Sequence, residues 1–259
     1  MFRGRGKKMK HIFDKFLPAL GIGGATVETR LADNEVTAGA KLYGDVCIQG
    51  GKTEQEIKDI VLILKAEYIQ RMSGETALKQ VEDLVKIRVA QNLTIKPKQE
   101  VCLPFELEIP VTTPVSLFEQ NVWLHTDLDV LWAVTSEDRD YIDVQPHPYM
   151  KKILDVLDGP MDFVLKTIET KDFQYVSKTP DYTQIFVYLP QGIWRKYCEK
   201  IKVWFAFTPT GIQVSFNKYQ PDDRIEKYTM YFTEDILEED DQKLADGFKR
   251  LIFPERSPR

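Results

Sequence analysis

His11, His125 and His147 are the only imidazoles in the chain. None of them stands in an HExxH or HxxxH run or beside a cysteine at metal-ligand spacing. His125 sits two residues from both Trp123 and Asp127, and alternate residues of a strand share a face. A His–Asp pair on one face is acid–base equipment when a substrate can reach it. A hydrolase built this way would use His125 and Asp127, with Asp143 as a third group in a cleft. The competing reading is a wet sheet face. Asp138, Arg139 and Asp140 place two carboxylates around a guanidinium. Such a cluster suits polar contacts that fix an angle at a joint between domains. No GxxxxGK[ST], GxGxxG or GxSxG occurs, and Gly21-Ile22-Gly23-Gly24 lacks the preceding strand that a dinucleotide loop requires. The expectation is therefore a protein with no catalytic residue, no cofactor and no metal site.

Cys47, Cys102 and Cys198 are odd in number, far apart and without a CxxC pair. This usage fits a reducing compartment rather than a secreted disulfide framework. Each lies among alternating apolar residues, so each is read as a small buried hydrophobe. A reactive thiol needs an electropositive, partly exposed setting.

The elements that would position these groups follow from composition and periodicity. The 259 residues are 43% hydrophobic and 29% charged, which is ordinary globular composition and excludes a disordered or fibrous chain. The net charge of -5 argues against a dedicated nucleic-acid binder. Uncharged runs stay well short of the ~18 residues of a membrane-spanning helix. The expected location is the cytoplasm.

From Ala25 onward the apolar residues alternate. Val27, Thr29 and Leu31 are followed by Leu42, Gly44, Val46 and Ile48, then by Ile60, Leu62, Leu64, Ala66 and Tyr68. Ile87, Val89 and Gln91 run on to Leu93 and Ile95. The set Val101, Leu103, Phe105, Leu107 and Ile109 is closed by Pro110. Val122, Leu124, Thr126, Leu128 and Val130 precede Tyr141 and Asp143. Strands that recur with turn residues and no intervening helix predict an antiparallel sandwich of about seven strands. Residues 75–86 fit a short helix or a loop-covered strand equally well.

Pro146 and Pro148 straddle His147, and proline fixes φ and restricts its predecessor. With Asp138, Arg139 and Asp140, these residues are read as a rigid interdomain connector. A turn or two of helix over Ile153, Leu154 and Leu157 is followed by strands around Phe163–Ile168, Phe173–Ser177, Ile185–Leu189, Ile201–Phe207, Ile212–Phe216 and Tyr228–Phe232. Pro209-Thr210-Gly211 is a hairpin turn. Residues 234–250 predict one helix with Thr233 as its N-cap. Its acidic run, from Glu234 to Asp241, is either a partner-binding surface or a solvated face.

The first 24 residues carry Arg3, Arg5, Lys7, Lys8, Lys10 and Lys15 against Asp14. Phe13, Phe16, Leu17 and Leu20 share a helical face with Ile12. This basic amphipathic segment could lie on an anionic membrane or in a partner's groove, with Lys10, Phe13, Lys15, Phe16 and Leu17 as contacts. The alternative is docking on the body of the protein. Met9 is an alternative start that would remove four of the basic residues.

Several stretches resemble the bacterial sporulation-control protein family of the stage-zero M type. They are GIGGATVET at 21–29, AGAKLYGDVCIQGG at 38–51, EVCLPFELEIPVTTPVS at 100–116, VWLHTDLDV at 122–130 and DRDYIDVQPHP at 138–148. The segment 184–220 follows the family pattern more loosely. The family begins near a basic, phenylalanine-rich dozen residues before the GIG turn, which agrees with a start at Met9. The resemblance implies an arrestin-like fold. The expected class is thus all-β, with two tandem antiparallel sandwiches at 25–145 and 146–233. A basic segment at 1–24 precedes them, and an acidic helix and tail at 234–259 follow. The resemblance also implies a regulatory role in the control of sporulation or a related branch of cell physiology, with no catalytic residue carried over. Exposed edge strands point to an adaptor that binds protein partners by strand addition. Self-association through edge strands and a peripheral membrane contact are further expectations, and nucleic acid is not an expected partner.

Overall fold

The computed structural model describes residues 24–71, 77–118, 120–130, 139–172 and 182–253. The basic amino-terminal segment, including Lys10, Phe13, Lys15, Phe16 and Leu17, lies outside the described residues. So do Asp138 and the strand expected at 173–177. The described chain runs through thirteen strands, three α-helices and one 3-10 turn. It is mostly β and largely antiparallel, as the alternation predicts.

The chain divides into two compact units; the second takes over at Pro146 and also includes Ile69–Lys79, where β4 ends and β5 begins. In the first unit β1 (Thr26–Leu31), β3 (Lys41–Gln49) and β6 (Glu100–Glu108) form a three-stranded antiparallel sheet in the order β1-β3-β6. Opposite it lie β4 (Gln55–Arg71), β5 (Ala77–Ile95), β7 (Asn121–Val130), β8 (Asp140–Gln145) and the short β2 (Glu35–Thr37). These pair in the order β5-β4-β7-β8-β2.

The alternating apolar sets meet between the two sheets. Val46, Ile48, Leu42 and Leu107 from one sheet pack with Ile60, Leu62, Leu64, Leu124 and Val144 from the other in one buried cluster. Burial of such side chains stabilises by roughly 25 cal/mol per Å² of apolar surface. Thr29 and Thr126, both buried, share a hydroxyl–hydroxyl bond of 2.5 Å across this core. Gly44 lies where the neighbouring strands of its own sheet crowd it: a Cβ there would stand 2.4 Å from the Arg30 carbonyl of β1 and 2.8 Å from the Phe105 ring of β6. Pro104 is tolerated within β6 because β6 is an edge strand, where one side of the ladder needs no donor.

The ambiguous stretch 75–86 resolves to strand where it is described, since β5 is a single strand of 19 residues paired to β4. The cysteine reading needs a larger correction. Cys47 and Cys102 are register partners on β3 and β6, and their sulfurs are bonded at 2.09 Å. They lie on the solvent side of the sheet, opposite the face of Val46 and Ile48, and Cys102 is exposed. Cys47 is buried as expected but bonded, and Cys198 is a free buried thiol, with its Sγ donating to the Lys200 carbonyl at 3.2 Å.

The second unit is built on the antiparallel ladder β9 (Phe163–Asp172), β10 (Tyr182–Pro190), β11 (Lys200–Thr208), β12 (Gly211–Tyr219) and β13 (Ile225–Thr233). The layer that covers its inner face is helical. α1 (Pro148–Asp158) buries Met150, Ile153, Leu154, Val156 and Leu157. The acidic stretch forms two helices where the spacing predicts one, a single turn α2 (Glu234–Leu237) and α3 (Asp241–Ile252). The break is Asp240, whose extended backbone and side chain, accepting from the Gln242 N–H at 2.8 Å, make it the N-cap of a new helix. Phe248 of α3 packs on Phe216 and Phe232, each with ring centroids 5.4 Å apart. Lys152 of α1 pairs with Asp241 at 2.5 Å. Gly211 closes the β11–β12 hairpin, and a Cβ there would lie 2.0 Å from the Phe232 carbonyl.

Candidate functional site

The polar face of β7 carries Trp123, His125 and Asp127, as parity requires. Across the ladder, β4 sets Lys65 opposite Trp123, Ile63 opposite His125 and Val61 opposite Asp127. The pair therefore faces aliphatic neighbours on that side. Asp143 does not join it. Val122 pairs with Ile142, which puts Asp143 level with Asn121. That is four strand positions from His125, about 13 Å at the usual rise.

What surrounds the pair is a mosaic of ions. Lys65 and Lys86 both bind Asp83, at 2.5 and 2.9 Å, and Arg88 binds Asp59 at 2.7 Å. Desolvation pushes the Asp83 carboxyl up, but its hydrogen bonds to the two lysines outweigh this and hold it below the usual range. Trp123 is 2% exposed. It is covered by the Arg139 guanidinium, 5.0 Å from the ring centroid, and by Tyr141 at 6.2 Å. Such a cation over indole is worth about 0.5–2 kcal/mol.

The residues grouped as a connector fall into two places. Arg139 and Asp140 stand at the start of β8, whereas Pro146, His147 and Pro148 follow its end. The six-residue strand between them spans about 20 Å. His147 is the N-cap of α1, its Nδ1 accepting from the Tyr149 N–H at 3.2 Å. Pro148 occupies the first helical position, where its missing donor costs nothing. The imidazole is packed edge-on against Tyr149 and Phe207, each at 4.9 Å. Burial lowers its pKa from the ordinary histidine value. In the sequence the flanking prolines dominate the pattern and mask this cap.

Two further groups were not legible. At the end of α1, burial pushes the Asp158 carboxyl up to about 6. Nearby Tyr188 is fully buried, and its hydroxyl has no hydrogen-bond partner among the described residues. The other feature is β13. Among the described residues it pairs only with β12, over nine unbroken register positions from Ile225 to Thr233. Its other edge is open among the described residues. Ile225 and Tyr231, 48% and 67% exposed, lie on its outer face with Lys227 and Thr229. An open edge presents unpaired backbone N–H and C=O groups, and alternation of exposed side chains could have marked the strand but not its lack of a neighbour.

No group of three or more His, Cys, Asp or Glu among the described residues is arranged to hold a metal ion. No helix among them is long and apolar enough to cross a membrane.

These features define a mostly antiparallel β protein in which a two-sheet sandwich precedes a helix-covered sheet, and in which the sequence-predicted polar residues serve a sheet face and a helix cap. The family model described as SpoOM protein matches residues 13–219, and the chain belongs to that family. It is 28% identical over 205 residues to the sporulation-control protein spo0M of Bacillus subtilis strain 168, covering 79% of each. It also superposes on the crystal structure of Spo0M from Bacillus subtilis with a TM-score of 0.82 at 23% identity, covering 91% of this chain and 100% of that one.

Proposed function

We propose that this chain is an arrestin-like regulatory adaptor that acts by binding another protein and performs no catalysis of its own. Its regulatory role is supported by family membership, since the relative from Bacillus subtilis is named for the control of sporulation. On this reading the chain serves sporulation or a related branch of cell physiology, and works in the cytoplasm.

The open edge of β13 is the observation that carries the binding mechanism. A regular nine-residue edge with no proline and no register shift can accept an extended segment by strand addition. Backbone hydrogen bonds would supply affinity. Apolar side chains opposite Ile225 and Tyr231, and a carboxylate opposite Lys227, would supply specificity, because cross-strand neighbours interact directly.

The test is affinity capture of the intact protein from lysate of its own host, with soluble and membrane fractions kept apart. The comparison is a variant carrying Ile225→Asp and Tyr231→Asp, both at exposed positions. A stoichiometric soluble partner that is lost with the variant supports the reading. Recovery of one partner by both proteins moves the binding surface elsewhere. Salt-sensitive recovery only with membranes would replace the adaptor reading by a membrane-surface role.

A further inference from the structure

The three cysteines sort into two kinds by position. Cys47 and Cys102 face each other across antiparallel strands, with Cα atoms 4.0 Å apart and a sequence separation of 55. Both are on the outer side of their sheet. Cys47 is 5% exposed, and Cys102 is exposed. Cys198 is fully buried in the second unit, and burial pushes its thiol up to about 12.

We propose that Cys47 and Cys102 are a thiol–disulfide couple that exchanges with low-molecular-weight thiols while the protein stays folded. Three observations carry this. First, the strands do not depend on the bond. β3 and β6 are paired from Lys41↔Glu108 to Gln49↔Glu100, and β3 pairs with β1 on its other side. The two sulfurs are therefore kept as neighbours in the dithiol form as well. Second, the bond is not shielded by the core, so a small thiolate reaches the Cys102 sulfur without unfolding, and access is one determinant of exchange rate. Third, β6 is the edge strand of its sheet. Closing the bond adds a covalent tie between that edge and the central strand. Opening it leaves the edge held by its backbone ladder, the Lys41–Glu106 ion pair and the burial of Phe105 and Leu107. In the cytoplasmic setting of the proposed function, a disulfide forms only when the thiol poise shifts. The couple itself does not depend on that reading.

Exchange is balanced by a small disulfide. The Cys102 thiolate attacks one sulfur of the reagent, a mixed disulfide forms at Cys102, and one reagent thiolate leaves. The Cys47 thiolate then attacks the Cys102 sulfur, the protein disulfide forms, and the second reagent thiolate leaves. Two electrons pass from the protein to the reagent, and the two thiol protons end on the two reagent thiolates.

The test equilibrates the full-length folded protein with mixtures of reduced and oxidised glutathione. Free thiols are then alkylated and counted by mass spectrometry, with far-UV circular dichroism recorded in parallel. The expected result is a single two-electron transition in which Cys47 and Cys102 gain and lose label together, Cys198 stays unlabelled until denaturant is added, and the spectrum does not change. The variant Cys47→Ser is expected to trap one glutathione on Cys102. A pair that remains bonded in excess reduced glutathione, or remains two free thiols in the most oxidising mixture, overturns the proposal. So does a Cys47→Ser protein that takes up no glutathione.

Discussion

Lys218 and Glu226 are register partners on β12 and β13, and they form an ion pair on the inner face of the second sheet. The Lys218 side chain is 7% exposed and reaches past Glu226 to donate to the Ile252 carbonyl at 2.8 Å. Its ammonium also lies 5.2 Å from the Phe253 ring centroid. A cation at the last turn of a helix complements the helix dipole. Lys218 thus joins α3 to the sheet edge. The Trp194 ring, stacked on Phe253 at 4.6 Å, closes the same corner.

Replacing Lys218 with Met leaves the Ile252 carbonyl and the Glu226 carboxylate without their cation. Glu226 keeps a hydrogen bond from the Tyr228 hydroxyl at 2.6 Å and is partly exposed, which tempers the loss. The expected destabilisation is about 1.5–3 kcal/mol in urea denaturation, the usual worth of hydrogen bonds to a charged group. A loss within experimental error would mean that the buried face of α3, with Leu244, Ala245, Phe248 and Ile252, holds the helix without help from Lys218. Desolvation raises the Glu226 pKa, but the Lys218 and Tyr228 bonds outweigh it and hold it below the ordinary value of 4.5. Its stabilisation is present above 4.5 and is lost as pH falls through the folded value. The Lys218→Met variant is expected to lose part of that acid dependence.

His147 predicts a second pH response. Its folded pKa lies below the ordinary 6.5, so the unfolded chain binds the proton first. Stability is complete above 6.5 and declines as pH drops from there to the folded value. Protonation at Nδ1 also removes the acceptor that caps α1. His147→Asn is expected to keep a cap and remove this pH dependence, and His147→Ala to cost about 1 kcal/mol. Thermal melts of the three proteins across the weakly acidic range check both statements. An unchanged pH profile in His147→Asn would show that the imidazole is not the titrating group.

Asp158 acts in the opposite sense. Its carboxyl titrates near 6 when folded and 3.8 otherwise, so the folded chain binds the proton first. Stability therefore falls as pH rises from 3.8 through about 6. Asp158→Asn is expected to raise the melting midpoint at neutral pH, with the gain disappearing toward 3.8. A gain that is the same at both ends of the window would point to a cause other than the buried charge.

Replacing His125 and Asp127 together with Ala is expected to change stability by less than about 0.5 kcal/mol, as for most surface positions. Partner capture should be unaffected. Loss of cellular function with the fold retained would move the functional centre to the polar face of β7.

The strands were legible because burial on one side imposes a period of two, and the sets Val101–Ile109 and Val122–Val130 appear in the structure as β6 and β7. The second half of β5 was legible in the same way, as the run Ile87–Ile95, but its first half was not, because Leu78, Val81, Leu84 and Val85 follow helical spacing. The long partner strand β4 overrides that local pattern. Residues 234–250 read as one helix because leucine and phenylalanine spacing carries across Asp240, whereas the capping preference of Asp240 breaks it. The parity of each strand places Cys47 and Cys102 on the faces opposite the apolar sets. Their meeting depends on the register between strands 55 residues apart in the chain, which no single strand encodes. The openness of β13 is likewise a property of the sheet order rather than of its nine residues.

The most direct test of the binding account is amide hydrogen exchange of the folded protein, alone and with a captured partner. Strand addition predicts that protection appears in the amides of Ile225–Thr233, on the edge that β12 does not cover. Protection confined to other strands, with β13 exchanging as in the free protein, would contradict it.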